Sequence, residues 1–144
     1  MINTNNCCIL IGIDTGTHTG IALYDLSARA FGYIETVKIH EAMRMVGDAY
    51  EKYGKSLMVL FEDARLRKWY AGAGREKLQG AGSIKRDCNI WDDYLNDLGV
   101  NYVAVPPKHN ITKLNETQFR AITGWTLRTS EHARDAAMLV FGFK

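Results

Sequence analysis

Apolar and polar residues along this 144-residue chain follow two periods, and each change of period marks a new element. The stretch "CCILIGID" (7–14) is a nearly continuous apolar run ending in an acid, the pattern of a central strand covered on both faces. Turn residues follow in "TGTHTG", and "IALYDL" resumes strand character, which predicts a hairpin; "FGYIETVKI" predicts a third strand. The period then lengthens. In "HEAMRMVGDAYEKYG", Met43, Val46, Ala49, Tyr50 and Tyr53 fall at helical spacing, with Gly54 as a stop. "SLMVLFED" is a second buried strand, again ending in acids.

The next stretch, "ARLRKWYAGAGREKLQGAGS", is basic and glycine-rich, with too little apolar periodicity to define an element throughout. From Ser83 to about Leu98 a helix is predicted, closed by Gly99, with a core stripe of Ile84, Cys88, Trp91, Leu95 and Leu98. "VNYVAVPP" is a strand stopped by prolines. "NETQFRAITGW" predicts a short helix, and "SEHARDAAMLVFGF" a last one. Ser130 is the N-cap of that last helix, and Ala133, Ala136, Ala137, Val140 and Phe141 lie on one face. The order predicts an α/β fold: a five-stranded mixed sheet, three antiparallel strands then two parallel, flanked by helices, in one domain over residues 1–144.

Parallel strands collect functional groups at their carboxyl ends, where Asp14 and Glu62 both fall. Neighbouring carboxylates at the rim of a core repel unless a cation lies between them. His132 and Asp135, spaced i, i+3, share a face of the last helix, beside the alanine stripe that would let it approach the sheet. Asp135 also lies near the helix start, where the macrodipole favours negative charge. Taken singly, these residues read as a turn former, a solvated strand end, a surface histidine and a surface acid. Together they read as a divalent-metal site of Asp14, Glu62, His132 and Asp135, oxygen-rich as magnesium or manganese prefers. Two such ions, roughly 3.5–4 Å apart, clamp the attacking and leaving oxygens of a phosphodiester.

Composition narrows the picture only slightly. The net charge of +2, with 47% hydrophobic and 24% charged residues, names no partner. Cys7, Cys8 and Cys88 are odd in number and lack metal spacing, so buried thiols in a reducing compartment are expected. No apolar run is long enough to span a bilayer and no leader pattern opens the chain, so a cytoplasmic location without membrane association is expected. The glycines at 72, 74, 80 and 82 do not form a phosphate-binding loop, so no nucleotide cofactor is expected.

The three segments "IGIDTGTHTGIALYD", "LMVLFED" and "HARDAAMLVFGF", in this order, resemble the RuvC-type Holliday-junction resolvases of the RNase H-like superfamily, in a compact phage-like form. The resemblance spans nearly the whole chain. It implies an RNase H-like fold and matches Asp14, Glu62, His132 and Asp135 to the family's metal ligands. It also implies a Mg²⁺-dependent endonuclease, with Mn²⁺ as substitute and two ions per site. Such an enzyme makes paired nicks across four-way junctions in a bacterial or phage-infected cell. Thr15 stands where the family usually shows proline.

Charge distribution suits such a substrate. Arg65, Arg67, Lys68, Arg75 and Lys77 surround Trp69 and Tyr70 just after Glu62, a combination for phosphate attraction and base stacking. In the resembled family this loop reaches the junction centre, which makes Trp69 or Tyr70 the candidate wedge; aromatics tucked back into the core are the alternative. Lys108 and Lys113, past another parallel strand, are placed to hold the scissile backbone, Lys113 also to offset transition-state charge, or else are ordinary surface lysines. Ile90 and Tyr94, off the core stripe of their helix, are the candidate interface of a homodimer matching the junction's two-fold symmetry, unless that helix is simply deeply buried. Three other readings compete: the same fold acting on other branched DNA or structured RNA, an ATP-binding module of the actin/hexokinase type, and a non-catalytic junction binder. The ATP-binding module needs a second lobe for which 144 residues leave no room, and the non-catalytic binder needs a broken ligand set.

Overall fold

In a computed structural model of the protein, the residues described are 7–66 and 75–142, the side chains of 75–81 and of Lys108 excepted. Five strands form one sheet: β1 (Ile9–Asp14), β2 (His18–Asp25), β3 (Ala30–Lys38), β4 (Leu57–Glu62) and β5 (Asn101–Val105). Their order across the sheet is β3-β2-β1-β4-β5. The β1–β2 and β2–β3 pairs are antiparallel, while β1–β4 and β4–β5 are parallel. The expected mixed sheet is therefore the observed one. Four helices flank it: α1 (Ile39–Tyr53), α2 (Arg75–Leu98), α3 (Glu116–Thr123) and α4 (Glu131–Val140).

Strand alternation assigns each residue to a layer. On β1 and β4, Ile9, Ile11, Ile13, Leu57, Val59 and Phe61 meet Ala42, Val46 and Ala49 of α1 and Cys88, Trp91 and Leu95 of α2. The intervening residues Leu10, Met58 and Leu60 meet Leu139 and Val140 of α4 on the other face. Because side chains on a strand alternate with period two, Asp14 and Glu62 continue the second set and face α4. A one-residue slip would bury both acids under α1 and α2.

Two glycines let α4 lie directly on the sheet. A Cβ on Gly12 would sit 2.1 Å from the Ala136 carbonyl oxygen, and one on Gly20 would sit 1.9 Å from that of His132. The sequence suggested a turn over 15–20, but β2 already begins at His18, so Gly20 serves close helix packing rather than chain reversal. The turn itself is closed by the Thr19 hydroxyl, which donates to the Gly16 carbonyl at 2.7 Å.

Two helical expectations need correction. The second helix begins at Arg75, two turns before Ser83, and runs through Gly80 and Gly82, with Arg, Glu, Lys, Leu, Gln and Ala as the helix formers around them. Ile84, expected in the core, is exposed; among the described side chains of α2, the buried ones over the sheet are Cys88, Trp91 and Leu95. Tyr94 donates its hydroxyl to the Met43 carbonyl at 2.7 Å and packs edge-on against Trp91. It packs, partly buried, against the chain's own core, while Ile84 and Ile90 stay exposed. Cys7 and Cys88 are buried thiols, whereas Cys8 is exposed, because its side chain alternates away from Cys7 at the strand entry. No helix among the described residues is long and apolar enough to cross a membrane.

Candidate active site

The site forms where β1 and β4 end under the first turns of α4. The last paired residues of these strands are Ile13 and Phe61, which leaves Asp14 and Glu62 side by side one step further on. Ser130 caps α4 by accepting from the Ala133 N–H and also touches the Thr36 hydroxyl of β3. With the helix start held there, His132 comes out over Asp14. Its Nδ1 lies 2.9 Å from Asp14 Oδ2, across 118 positions of sequence. Asp14 is largely buried and His132 is more than half exposed.

Electrostatics mark the same spot. The Asp14 carboxyl is pushed up to about 6, mainly by burial and further by the charges of Asp135 and Glu62, against the opposing pull of the His132 hydrogen bond. Asp135 is also raised, by burial first and then by Glu131, against a backbone hydrogen bond from Lys113. Lys113 donates its backbone N–H to Asp135 Oδ1 at 3.0 Å. The Asn110 amide donates to Glu62 Oε2 and to the Asp135 carbonyl, both at 3.1 Å. Neither contact was read from the sequence. An asparagine shortly after a parallel strand's carboxyl end was the only available signal, and it is a weak one.

Three carboxylates and an imidazole are a donor set suited to a hard divalent cation. The set is not drawn closed here. Among the described residues, no group of three or more His, Cys, Asp or Glu side chains is gathered as a metal site. In chemistry and in strand-end placement the four residues nonetheless fit such an ion.

The predicted DNA contacts divide into two groups. Arg67, Lys68, Trp69 and Tyr70 lie outside the described residues, as do the side chains of Arg75, Lys77 and Lys108. Arg65, expected to attract phosphate, is instead committed to the protein. Its Nε and Nη2 donate to the two oxygens of Asp63 at 2.8 and 2.7 Å, and its Nη1 reaches Asn89 at 2.8 Å and Asp92 at 3.3 Å. Tyr102 donates to the other oxygen of Asp92 at 2.6 Å, which pushes the phenol up to about 12. Lys113 is exposed, and its φ of 61° is a left-handed conformation uncommon outside glycine and asparagine. A groove of about 610 Å³ runs along β3 beside Trp125, Leu127 and Arg128; it borders the start of α4 but contains none of the acids of the site.

This sheet order, with acids at the ends of β1 and β4 and α4 laid across them, defines the RNase H-like fold class. Within it the chain has a RuvC-like fold. T. thermophilus RuvC, solved in complex with a Holliday junction substrate, matches at a TM-score of 0.57 and 18% identity over 92% of this chain and 90% of that one. Eight chains of solved structures match in all. No protein-family profile and no curated protein sequence matches the chain.

Proposed function

We propose that the protein is a magnesium-dependent, structure-selective endonuclease that resolves four-way DNA junctions by paired nicks, acting as a homodimer in the cytoplasm of a bacterial or phage-infected cell. The observation that carries this reading is the meeting of His132 with Asp14, beside Glu62 and Asp135, at the strand ends of a RuvC-like fold. In the proposed site Asp14, Glu62 and Asp135 would supply oxygens, and His132 a nitrogen, to two Mg²⁺ or Mn²⁺ ions. Bound ions supply an activated water and neutralise charge at phosphorus. His132 holds a proton between Nδ1 and Asp14 Oδ2, and the exposed Lys113 ammonium offsets charge on the phosphate oxygens. By analogy the products carry 5′-phosphate and 3′-hydroxyl ends. Arg67, Lys68, Arg75, Lys77 and Lys108 hold the backbone, and Trp69 or Tyr70 stacks on an unpaired base, an interaction of roughly 1–3 kcal/mol. Two sites related by a two-fold axis would cut opposed strands.

The test is nicking of a mobile four-way junction in Mg²⁺, beside linear duplex, flap, single-stranded and RNA-containing substrates. Junction cleavage should dominate. Asp14→Asn should lower it about a thousandfold or more, as loss of several kcal/mol of metal-mediated stabilisation implies, while junction binding persists. Full activity in that variant would remove the proposal. Preference for flap or RNA would keep the chemistry and reassign the substrate.

A further inference from the structure

We infer that Asn110 is a positioning residue of this site: it sets the Glu62 carboxylate for metal binding and ties it to α4. This rests on the metal-dependent reading above. The geometry is specific. One amide nitrogen donates to Glu62 Oε2 on β4 and to the Asp135 carbonyl on α4, at 3.1 Å each, so a single side chain joins two of the three elements that carry the ligands. Both partners are acceptors, so the amide cannot be reversed without setting oxygen against oxygen. The arrangement has a cost: Asn110 Oδ1 is buried and has no hydrogen-bond partner among the described residues. A fold that keeps a buried unpaired oxygen in order to present two donors to the site has the mark of function rather than of packing.

The same short segment makes a second contact of this kind. Three residues on, the Lys113 backbone N–H holds Asp135 Oδ1, with Lys113 in the left-handed conformation. Backbone held in a sparsely populated conformation by its surroundings clusters at functional sites. Residues 110–113 thus orient two of the three carboxylates from one side, while His132 orients the third, Asp14. Partners of this outer kind fix ligand direction and tune affinity.

The experiment compares Mn²⁺ binding by wild type, Asn110→Leu, Glu62→Gln and the double variant, by calorimetry and by Mn²⁺ paramagnetic resonance, with thermal melts of the metal-free proteins. Leucine keeps the volume and removes the unpaired oxygen, so Asn110→Leu should melt within a few degrees of wild type while binding Mn²⁺ about 10–100-fold more weakly. Because the residue acts through Glu62, adding Asn110→Leu to Glu62→Gln should weaken binding less than about threefold further. Unchanged Mn²⁺ affinity in Asn110→Leu, or full additivity in the double variant, overturns the role of Asn110 and leaves the nuclease reading standing. A wild-type protein that takes up no Mn²⁺ overturns both.

Discussion

Asp14 and Asp63 are both carboxyls at the carboxyl end of a parallel strand, and the fold treats them oppositely. Asp63 is 2% exposed and takes both forks of Arg65. Burial raises its carboxyl, but the hydrogen bonds and charge of Arg65 outweigh burial and hold it below the usual range. Asp14 is pushed up to about 6 by burial first and then by the charges of Asp135 and Glu62, which outweigh the hydrogen bond and charge of an exposed imidazole. The chain had a guanidinium three residues from Glu62 and aimed it at Asp63. An acid that receives a built-in guanidinium serves the fold, whereas Asp14, raised and held only by an imidazole hydrogen bond, is the one suited to the proposed chemistry. Glu62 and Asp63 are adjacent in sequence, yet strand alternation sends them to opposite sides of that division.

The largest expected break in this comparison is Arg65→Ala. It leaves Asp63 buried without its partner, and loss of one member of a buried pair costs about 3 kcal/mol or more. Urea unfolding should show that loss, whereas junction affinity of the folded variant should stay within about twofold of wild type. A normal unfolding midpoint with weakened DNA binding would return Arg65 to the role its sequence position suggested.

Next in size is Gly20→Ala. Its added methyl would meet the His132 backbone at 1.9 Å, and backbone cannot turn aside as a side-chain tip can. Overpacking of this kind costs typically 1–3 kcal/mol and should lift the start of α4 from β2. Metal-dependent nicking should then fall far more than stability, because His132 leaves Asp14. Equal losses in both would separate the position of α4 from the chemistry.

The two aspartates also respond to pH with opposite sign. The Asp14 carboxyl moves from 3.8 to about 6 on folding, so between those values the native state binds more protons and stability declines as pH rises. Asp63 is lowered, so its contribution is present above about pH 4 and is lost on acidification below it. Without metal, melting points recorded from pH 3 to 8 should therefore pass through a maximum and then fall toward pH 6. Asp14→Asn should remove most of that fall, of the order of 2 kcal/mol, with the remainder coming from Asp135. Mg²⁺ should oppose the fall only where the carboxyls are ionised, stabilising the protein more at pH 7 than at pH 5. A slope unchanged by Asp14→Asn would contradict the raised Asp14 carboxyl.

Strand-end acids were legible in the sequence because alternation and parallel order act locally and fix where Asp14 and Glu62 must emerge. His132 and Asp135 were legible from helical spacing. The pairing of charges was not. Nothing near Arg65 in sequence indicates Asn89 or Asp92, more than twenty residues away on α2, so a basic cluster beside aromatics read as a phosphate contact. Gly12 and Gly20 read as strand and turn glycines because the close approach they permit belongs to α4, over a hundred residues later. Asn110 was invisible for the same reason, both its partners being distant acceptors. The first turns of α2 were missed because helix propensity without a buried stripe leaves no periodic signal.

Ser130→Ala is the smallest change that still probes the comparison. Ser130 accepts from the Ala133 N–H at 3.3 Å and touches Thr36 on β3, so it both caps α4 and ties it to the sheet. Loss of a serine cap costs typically about 1 kcal/mol. If the approach of α4 is set mainly by Gly12, Gly20 and the three alanines, that loss should appear in stability alone, with nicking reduced less than about threefold. If instead the cap sets the rotation that brings His132 to Asp14, nicking and Mn²⁺ affinity should fall together while the melting point moves only a few degrees. Glycine at position 130 separates the two causes, because a glycine cap restores most of the lost helix stability without restoring the contact to Thr36. Recovery of activity along with stability in Ser130→Gly would assign the alignment of the site to helix packing, and failure to recover would assign it to the hydroxyl.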